Sequence, residues 1–211
     1  MHVTLRSALQ RLLFIGSSLI LVGLLVACGG NGGSSPTPTP TPTKAPTPTP
    51  TPPPSPTTTL TTYTGNGYTI SYPQGWSVST SGTTVTFTDP TKIYTFAIVV
   101  SPDPNGVSSP DTSANAGITG VKSRLTNPQT VSLPATTTVG GDNWVQKGVS
   151  GSTTQNGQNV DIEVIVISDN HPANSPSTNN FTIIYGTAKQ IFATAMTAYF
   201  QPMLSSFKFT S

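Results

Sequence analysis

The sequence predicts an α+β fold for residues 60–211, with helices packed on an antiparallel sheet. Apolar and polar residues alternate with a period of two in several segments of this region. Asn156-Gly157 is a hairpin-turn pair between two strand-like segments, and two further segments have apolar residues at helical spacing. Fifteen of the aromatic residues (8 Phe, 6 Tyr and 2 Trp in all) lie beyond residue 60, so this region has the residues of a core.

Composition divides the 211-residue chain into 1–27, 28–59 and 60–211. Only 8% of all residues are charged, against roughly 25% in ordinary soluble domains. Residues 60–211 contain six Lys and Arg and seven Asp and Glu, a formal charge of −1. A nucleic-acid partner is therefore not expected, because nucleic-acid-binding domains present a basic surface. The closest pair of basic residues in this region is Lys122 and Arg124.

The N-terminal region has the form of an export signal. Arg6 and Arg11 precede an uncharged run at 12–27, which is typical of a signal peptide and shorter than the ~20 apolar residues of a transmembrane helix. The run ends in LVAC at 25–28, which resembles the bacterial lipobox. This resemblance implies that residues 1–27 are removed and that Cys28 carries the lipid.

Lipidation of Cys28 implies a partner, the membrane, and a location on the extracytoplasmic face of a bacterial cell. Two or three acyl chains hold a protein stably at a bilayer, whereas one does not. Cys28 is the only cysteine, which excludes intramolecular disulfides and cysteine-cluster metal sites. An incidental cysteine after a transmembrane helix is the alternative, and the sequence leaves open whether the envelope has one membrane or two.

Residues 28–59 are expected to form a spacer. Pro-Thr repeats almost without interruption at 36–56, and alternating prolines exclude both helix and sheet. An extended polyproline II conformation reaches ~3.1 Å per residue, or about 65 Å over the repeat. The threonines are also candidates for O-glycosylation.

Strands are predicted where alternation is clear, and a continuous apolar stretch within 94–100 predicts a central strand covered on both faces. The predicted strands are 68–72, 85–87, 94–100, 144–150, 160–167 and 181–185.

Two helices are predicted from apolar residues three and four apart. The first runs from Ala114 to Leu125 and is ended by Asn127-Pro128; the second carries an apolar stripe from Phe192 to Met203. The second is expected to begin with a capping box at 187–190 and to be kinked or broken at Pro202.

Motifs at both ends of this region resemble PsbP-like domains over residues 62–210. These are YTISYPQGW at 68–76 with VTFTD at 85–89, and YF through MLSSFKF at 199–209. The resemblance implies an α/β/α sandwich with a central antiparallel sheet. Named members of the family are extrinsic subunits of photosynthetic complexes, and many bacterial relatives are lipoproteins with no assigned activity. Photosynthetic function is not inferred, because a fold does not carry a function.

Candidate chemical residues are few. Asp161 and Glu163 are two apart on a strand, so their side chains share a face about 7 Å apart, near the spacing that glycosidases use. An exposed strand edge beside a turn is the favoured interpretation. Asp169 and His171 supply only two metal ligands, and His171 lacks the surroundings of a catalytic triad.

Other motifs favour structural roles. The segment 101–106 resembles a calcium loop but lacks its acidic first residue, so a turn is expected. Trp76 and Trp144 are expected to pack in the core rather than bind a ligand. No cofactor, metal site or catalytic residue is assigned, and no phosphate-binding loop occurs.

The sequence therefore predicts a lipid-anchored, non-catalytic binding or accessory module of the cell envelope, with an envelope protein or complex as its partner. A small-ligand-binding lipoprotein, with a pocket between the sheet and the C-terminal helix, is one alternative. A wall-polymer hydrolase using Asp161 and Glu163 is the other.

Overall fold

The computed structural model describes residues 59–155 and 157–210. The predicted signal peptide, Cys28, the Pro-Thr repeat and Asn156 of the predicted turn lie outside the described residues.

Eleven strands are present in the described residues, and all of their pairings are antiparallel. They are β1 (Leu60–Gly65), β2 (Tyr68–Pro73), β3 (Ser77–Ser81), β4 (Thr84–Thr88), β5 (Thr95–Pro102), β6 (Thr126–Val131), β7 (Thr136–Val139), β8 (Asp142–Gln155), β9 (Gln158–His171), β10 (Asn179–Ala188) and β11 (Lys208–Phe209).

The strands form two sheets. An eight-stranded sheet has the order β3-β4-β5-β10-β9-β8-β6, with β7 also paired to β8, and a three-stranded sheet has the order β1-β2-β11. Strand β5 lies between β4 and β10, and its residues 96–100 are all buried. The prediction of a central strand covered on both faces is therefore confirmed.

The predicted hairpin is present as β8 and β9, each 14 residues long. Their register pairs Gln155 with Gln158 across the turn and continues to Val145 opposite Ser168. Gly157 has a φ of +77°, the left-handed conformation that an Asn-Gly turn requires of its glycine.

Helix α1 (Pro110–Lys122) contains the first predicted apolar stripe. Ser109 caps it by accepting a hydrogen bond from the Thr112 amide at 3.1 Å, and Pro110 suits the first turn because no partner is needed for its nitrogen. The helix ends at Lys122, earlier than predicted, and Asn127-Pro128 belongs to strand β6.

The C-terminal helical segment begins at residue 189 and is irregular. It consists of a 3₁₀ turn (Lys189–Ile191), helix α2 (Phe192–Ala195), a π-helical turn (Met196–Phe200) and helix α3 (Gln201–Ser206). The helix predicted to be kinked or broken at Pro202 is not broken there: the π-helical turn leads directly into α3, and Phe200 and Gln201 keep helical backbone angles. None of the described helices is long and apolar enough to cross a membrane.

The predicted capping box at 187–190 is wrong. Thr187 is the penultimate residue of β10, and its hydroxyl donates to the carbonyl of Ile93 at 3.1 Å. Strand pairing with Glu163 holds its backbone extended, so it is too early to cap a helix. No side chain caps the 3₁₀ turn that follows.

The two faces of the large sheet bury separate cores. One face packs against α1, whose buried residues Ala114, Ile118 and Val121 contact Val164 and Val166 of β9. The other face is covered by the C-terminal helices and the small sheet, and its core is rich in aromatic side chains. The predicted α+β class with a central antiparallel sheet is confirmed, with helices on both faces of that sheet.

Candidate functional site

Asp161 and Glu163 both lie on β9 and point to the same face, as predicted. That face also carries Ile165 and Ile167, which are buried in the aromatic-rich core. Strand β9 is paired with β8 at both residues, but its pairing with β10 ends at Ile162. Asp161 therefore lies at an exposed strand edge, as expected, whereas Glu163 lies within the sheet, which corrects the expectation for that residue.

The two carboxylates have different surroundings. Asp161 is exposed and accepts a hydrogen bond from the Ser152 hydroxyl at 2.6 Å. Glu163 is half-buried, and burial raises its pKa while the charge of Lys189 lowers it. A raised pKa suits a general acid, but a carboxylate beside a lysine at the end of a sheet is equally a structural arrangement.

His171 has a partner that the sequence did not suggest. Its Nδ1 lies 2.7 Å from Oδ2 of Asp142, and the two side chains are 36% and 41% exposed. The imidazole also stacks on Phe209 of β11, with ring centroids 3.6 Å apart and an interplanar angle of 5°. His171 is thereby held between β8 and the C-terminal strand.

Asp169 completes this cluster from the same face of β9. Burial raises its pKa to about 6; a hydrogen bond from the backbone amide of Asn170 lowers the pKa, the charge of Asp142 raises it, and the charge of His171 lowers it. Its Oδ2 is buried and has no hydrogen-bond partner among the described residues. The cluster therefore contains one carboxyl group for which ionisation is unfavourable.

The cluster has the orienting part of a triad without a nucleophile. Asp142 orients the imidazole, but no serine, threonine or cysteine among the described residues hydrogen-bonds to His171. The described residues also contain no group of three His, Cys, Asp or Glu side chains arranged to hold a metal ion. The contacts of His171 with Asp142 and Phe209 connect strand β9 to β8 and to β11.

The two tryptophans lie in the aromatic-rich core, as predicted. Trp144 is fully buried, and its indole N–H donates to the carbonyl of Val139 at 2.9 Å. Trp76 is 8% exposed and contacts the rings of Tyr94 and Tyr199. The segment resembling a calcium loop forms a 3₁₀ turn, and Asp103 accepts from the Ser108 amide at 3.0 Å.

A pocket of about 320 Å³ opens between the β1–β2 turn and the β3–β4 turn. Its floor is formed by the buried side chains of Tyr68, Val85 and Val100, and the half-buried Tyr63 forms one wall. This position differs from the expected one, which was between the sheet and the C-terminal helix. The pocket is formed by the small sheet and the β3–β4 hairpin.

The rim of the pocket is polar. It is formed by the exposed residues Thr64, Asn66, Thr80 and Thr83. Alternation in β4 places Val85 on the buried floor, whereas Thr83 lies in the turn before the strand. The sequence did not identify this site, because its residues come from two hairpins that only the tertiary fold brings together.

Gly65 allows Tyr68 to form part of this pocket. A Cβ atom at Gly65 would lie 2.3 Å from Cζ and 2.7 Å from the hydroxyl oxygen of Tyr68. The phenol ring therefore lies directly over the glycine backbone. Any larger residue at position 65 displaces the ring.

No protein-family model matches this chain, and no curated protein sequence matches it. Solved structures are similar to part of this chain. LpqN of Mycobacterium tuberculosis, described as involved in cell envelope biogenesis, has 15% identity and a TM-score of 0.45 over 74% of this chain and 92% of its own.

Two other structures are similar over a smaller part of their own length. The type VI secretion immunity protein TplEi of Pseudomonas aeruginosa has 12% identity and a TM-score of 0.41, and a Bacteroides thetaiotaomicron protein has 9% and 0.43. Each match covers 69% of this chain and 46% of the other, so the chain spans about half the length of those two proteins. The proposed function therefore rests on this chain's own residues.

Proposed function

We propose that this chain is a lipid-anchored, extracytoplasmic, non-catalytic module of a bacterial cell envelope, with a PsbP-like domain that binds an envelope component. The observation that carries the proposal is the order of its parts. A lipobox-like LVAC at 25–28 is followed by a Pro-Thr repeat and then by a folded α+β domain. This order suits a domain held at a distance from a membrane.

The chemistry of the domain favours binding over catalysis. Two of its carboxyl groups are paired with neighbouring side chains: Asp142 contacts the imidazole of His171, and Asp161 accepts a hydrogen bond from Ser152. The Asp142–His171 pair connects strands that the fold must hold together. The uncharged pocket at the β1–β2 and β3–β4 turns supports a second candidate within the same class, a small-ligand-binding lipoprotein.

The proposal is tested by crosslinking and affinity capture from native membranes, with Cys28→Ala as the control for the anchor. We expect a saturable partner to be captured with the wild-type chain. Loss of that partner with Cys28→Ala places recognition in the membrane, whereas equal capture places it in residues 60–211. Absence of any specific partner from both samples, together with absence of any ligand in a thermal-shift screen, contradicts a binding module.

A further inference from the structure

Strand β3 forms one edge of the large sheet. It is paired with β4, and no other described strand is paired with it. Proteins usually protect such an edge with a charged side chain, a proline or a β-bulge, because its free N–H and C=O groups can pair with another strand. At the opposite end of the sheet, β6 contains Pro128, and its register with β8 shifts between Thr126 and Gln129.

Strand β3 has none of these protections. Its sequence, SVSTS at 77–81, contains neither a charged residue nor a proline. Its register with β4 continues without a shift from Ser77 opposite Thr88 to Ser81 opposite Thr84. All of its residues except Val78 are exposed. The strand is therefore open to pairing along its whole length.

The hairpin register determines which backbone groups of β3 are free. Ser81 and Thr84 flank a two-residue turn, so they form a hydrogen-bonded pair. The backbone groups of every second residue counted back from Ser81 are therefore directed towards β4. Those of Val78 and Thr80 point away from the sheet, and their N–H and C=O groups are placed to bond to a further strand.

The outward pattern of β3 is self-complementary about Ser79. When a second copy lies antiparallel with its Ser79 opposite this Ser79, Val78 of each copy faces Thr80 of the other. Each of these pairs exchanges two backbone hydrogen bonds. The two Ser79 residues form a non-hydrogen-bonded pair, in which the Cα atoms are about 4.5 Å apart. Their short side chains suit that close approach.

The lack of charge on β3 favours a second copy as the occupant of this edge. Like charges directly opposite each other destabilise a strand pair, and a two-fold axis places each side chain near an equivalent one. The side chains of β3 are hydroxyl groups and one valine, so no like charges meet. The next charged residue along the chain, Asp89, accepts hydrogen bonds from the amides of Ile93 and Tyr94 at 2.7 and 2.8 Å.

We propose that β3 is a self-association surface, on which two copies of the domain pair antiparallel about Ser79 and join their large sheets into one. The interface is isologous, because both copies use the same strand. The proposal goes beyond the proposed function, since it concerns contact between two copies and requires neither an envelope partner nor a ligand.

The test is co-capture of two differently tagged full-length chains from detergent-solubilised membranes. We expect wild-type copies to capture each other. Ser79→Lys places two like charges at the two-fold axis, so it should lower co-capture at least about tenfold without lowering Tm. Ser79→Glu should do the same. Co-expression of the Ser79→Lys chain with the Ser79→Glu chain should restore co-capture, because opposite charges then face each other.

Two further variants locate the contact. Thr80→Pro removes an outward N–H without removing a hydrogen bond to β4, so it should abolish co-capture. Thr62→Lys is the matched control, because Thr62 is exposed on β1, at the edge of the small sheet. This control should leave co-capture unchanged.

The proposal is wrong if wild-type copies do not capture each other, or if Ser79→Lys and Thr80→Pro leave co-capture intact. It is also wrong if the two charged chains fail to restore co-capture together, because residue 79 then does not face its own equivalent. Loss of an envelope partner, rather than of the second copy, from the Ser79→Lys chain assigns the edge to an unlike strand and overturns the proposal. The proposed function fails separately, through the absence of any partner or ligand from the capture and thermal-shift experiments.

Discussion

At the scale of single residues, Asp169 has the clearest effect on the energetics of the domain. Its carboxyl group is held in a partly buried position opposite Phe181 of β10, beside the Asp142–His171 pair. Burial raises its pKa to about 6 from a usual value of 3.8. The native state therefore binds this proton more tightly than the unfolded chain does, and neutral pH is the unfavourable condition for it.

The first prediction concerns this proton. The stabilisation from protonated Asp169 is complete below about pH 4 and is lost as the pH rises through about 6. Asp169→Asn removes the ionisation, so at about pH 7.5 we expect its free energy of unfolding to exceed the wild-type value by about 1 kcal/mol, allowing for solvent screening at a half-exposed site. Urea denaturation of the wild-type and Asp169→Asn chains, at about pH 4 and at about pH 7.5, measures the difference in their free energies of unfolding.

The matched control is Asp161→Asn, an exposed carboxyl group on the same face of the same strand. It removes a carboxyl group that accepts a hydrogen bond from Ser152 and lies outside the Asp142–His171 cluster. An Asp169→Asn effect that is the same at about pH 4 and about pH 7.5 contradicts the raised pKa.

Helix α1 lies close to the sheet because residue 117 is a glycine. A Cβ atom at Gly117 would lie 2.8 Å from Cγ1 of Val166, a residue with no exposed surface. From sequence alone, Gly117 weakens the helix by about 1 kcal/mol relative to alanine. The structure shows that the same glycine allows the helix to approach β9.

The second prediction follows from that contact. Gly117→Ala gains about 1 kcal/mol of helix propensity but overpacks the interface, which costs about 1–3 kcal/mol, so we expect net destabilisation of about 1 kcal/mol. Ala116→Gly, on the exposed side of the same helix, should cost about 1 kcal/mol through propensity alone. Adding Val166→Ala should make the Gly117→Ala change favourable. A stabilised single Gly117→Ala variant in thermal denaturation shows that the contact relaxes without cost.

The C-terminal strand β11 is short, and its attachment depends on Phe209. That ring stacks on His171 and lies 6.0 Å from Trp144, with a centroid distance of 5.1 Å to Phe181. The strand itself has only two residues paired with β2, Lys208 and Phe209. Side-chain packing therefore contributes more to its position than backbone pairing does.

The third prediction is that Phe209→Ala destabilises the domain by about 2 kcal/mol, about half of the usual cost for a fully buried phenylalanine. Lys208→Ala, exposed on the same strand, should change stability by less than about 0.5 kcal/mol. Equal effects of the two substitutions in urea denaturation show that Phe209 does not anchor the strand.

Most elements with strong periodicity could be predicted from the sequence, and those without it could not. Strands β2, β4, β5, β8, β9 and β10 and helix α1 carry alternating or helical apolar residues. Strand β6 has five exposed residues out of six and contains Pro128, so it has no alternation to recognise. Strand β1 is similarly exposed, and its position depends on pairing with β2.

Contacts of the candidate site could be predicted from the sequence only where the register of the paired strands could be predicted. Gln155 pairs with Gln158, and this register continues to Val145 opposite Ser168. The same count carried three residues further along each strand reaches Asp142 and His171, whose side chains are in contact. The contact between Asp142 and His171 therefore follows from the hairpin register, provided that both strands are known to be 14 residues long. The pocket could not be predicted in this way, because no local sequence pattern relates Tyr68 to Thr83.

At the scale of the whole molecule, the central feature of the proposed function is the order of a predicted lipid anchor, a predicted spacer and the folded domain. The sequence places an apolar segment, one cysteine and a Pro-Thr repeat before a domain with formal charge −1. The domain is a sheet covered on both faces, with its uncharged pocket at the tips of two turns. This order predicts a protein that binds at a distance from the membrane that holds it.

Mass spectrometry of the N-terminal peptide from native membranes tests the proposed cleavage before Cys28 and its lipidation. Trypsin cleaves after Arg11 and Lys44, with no site between them. We expect a peptide of residues 28–44 carrying a diacylglyceryl group on the sulfur of Cys28. A peptide of residues 12–44 with a free Cys28 thiol contradicts it, because the protein is then held by an uncleaved apolar segment.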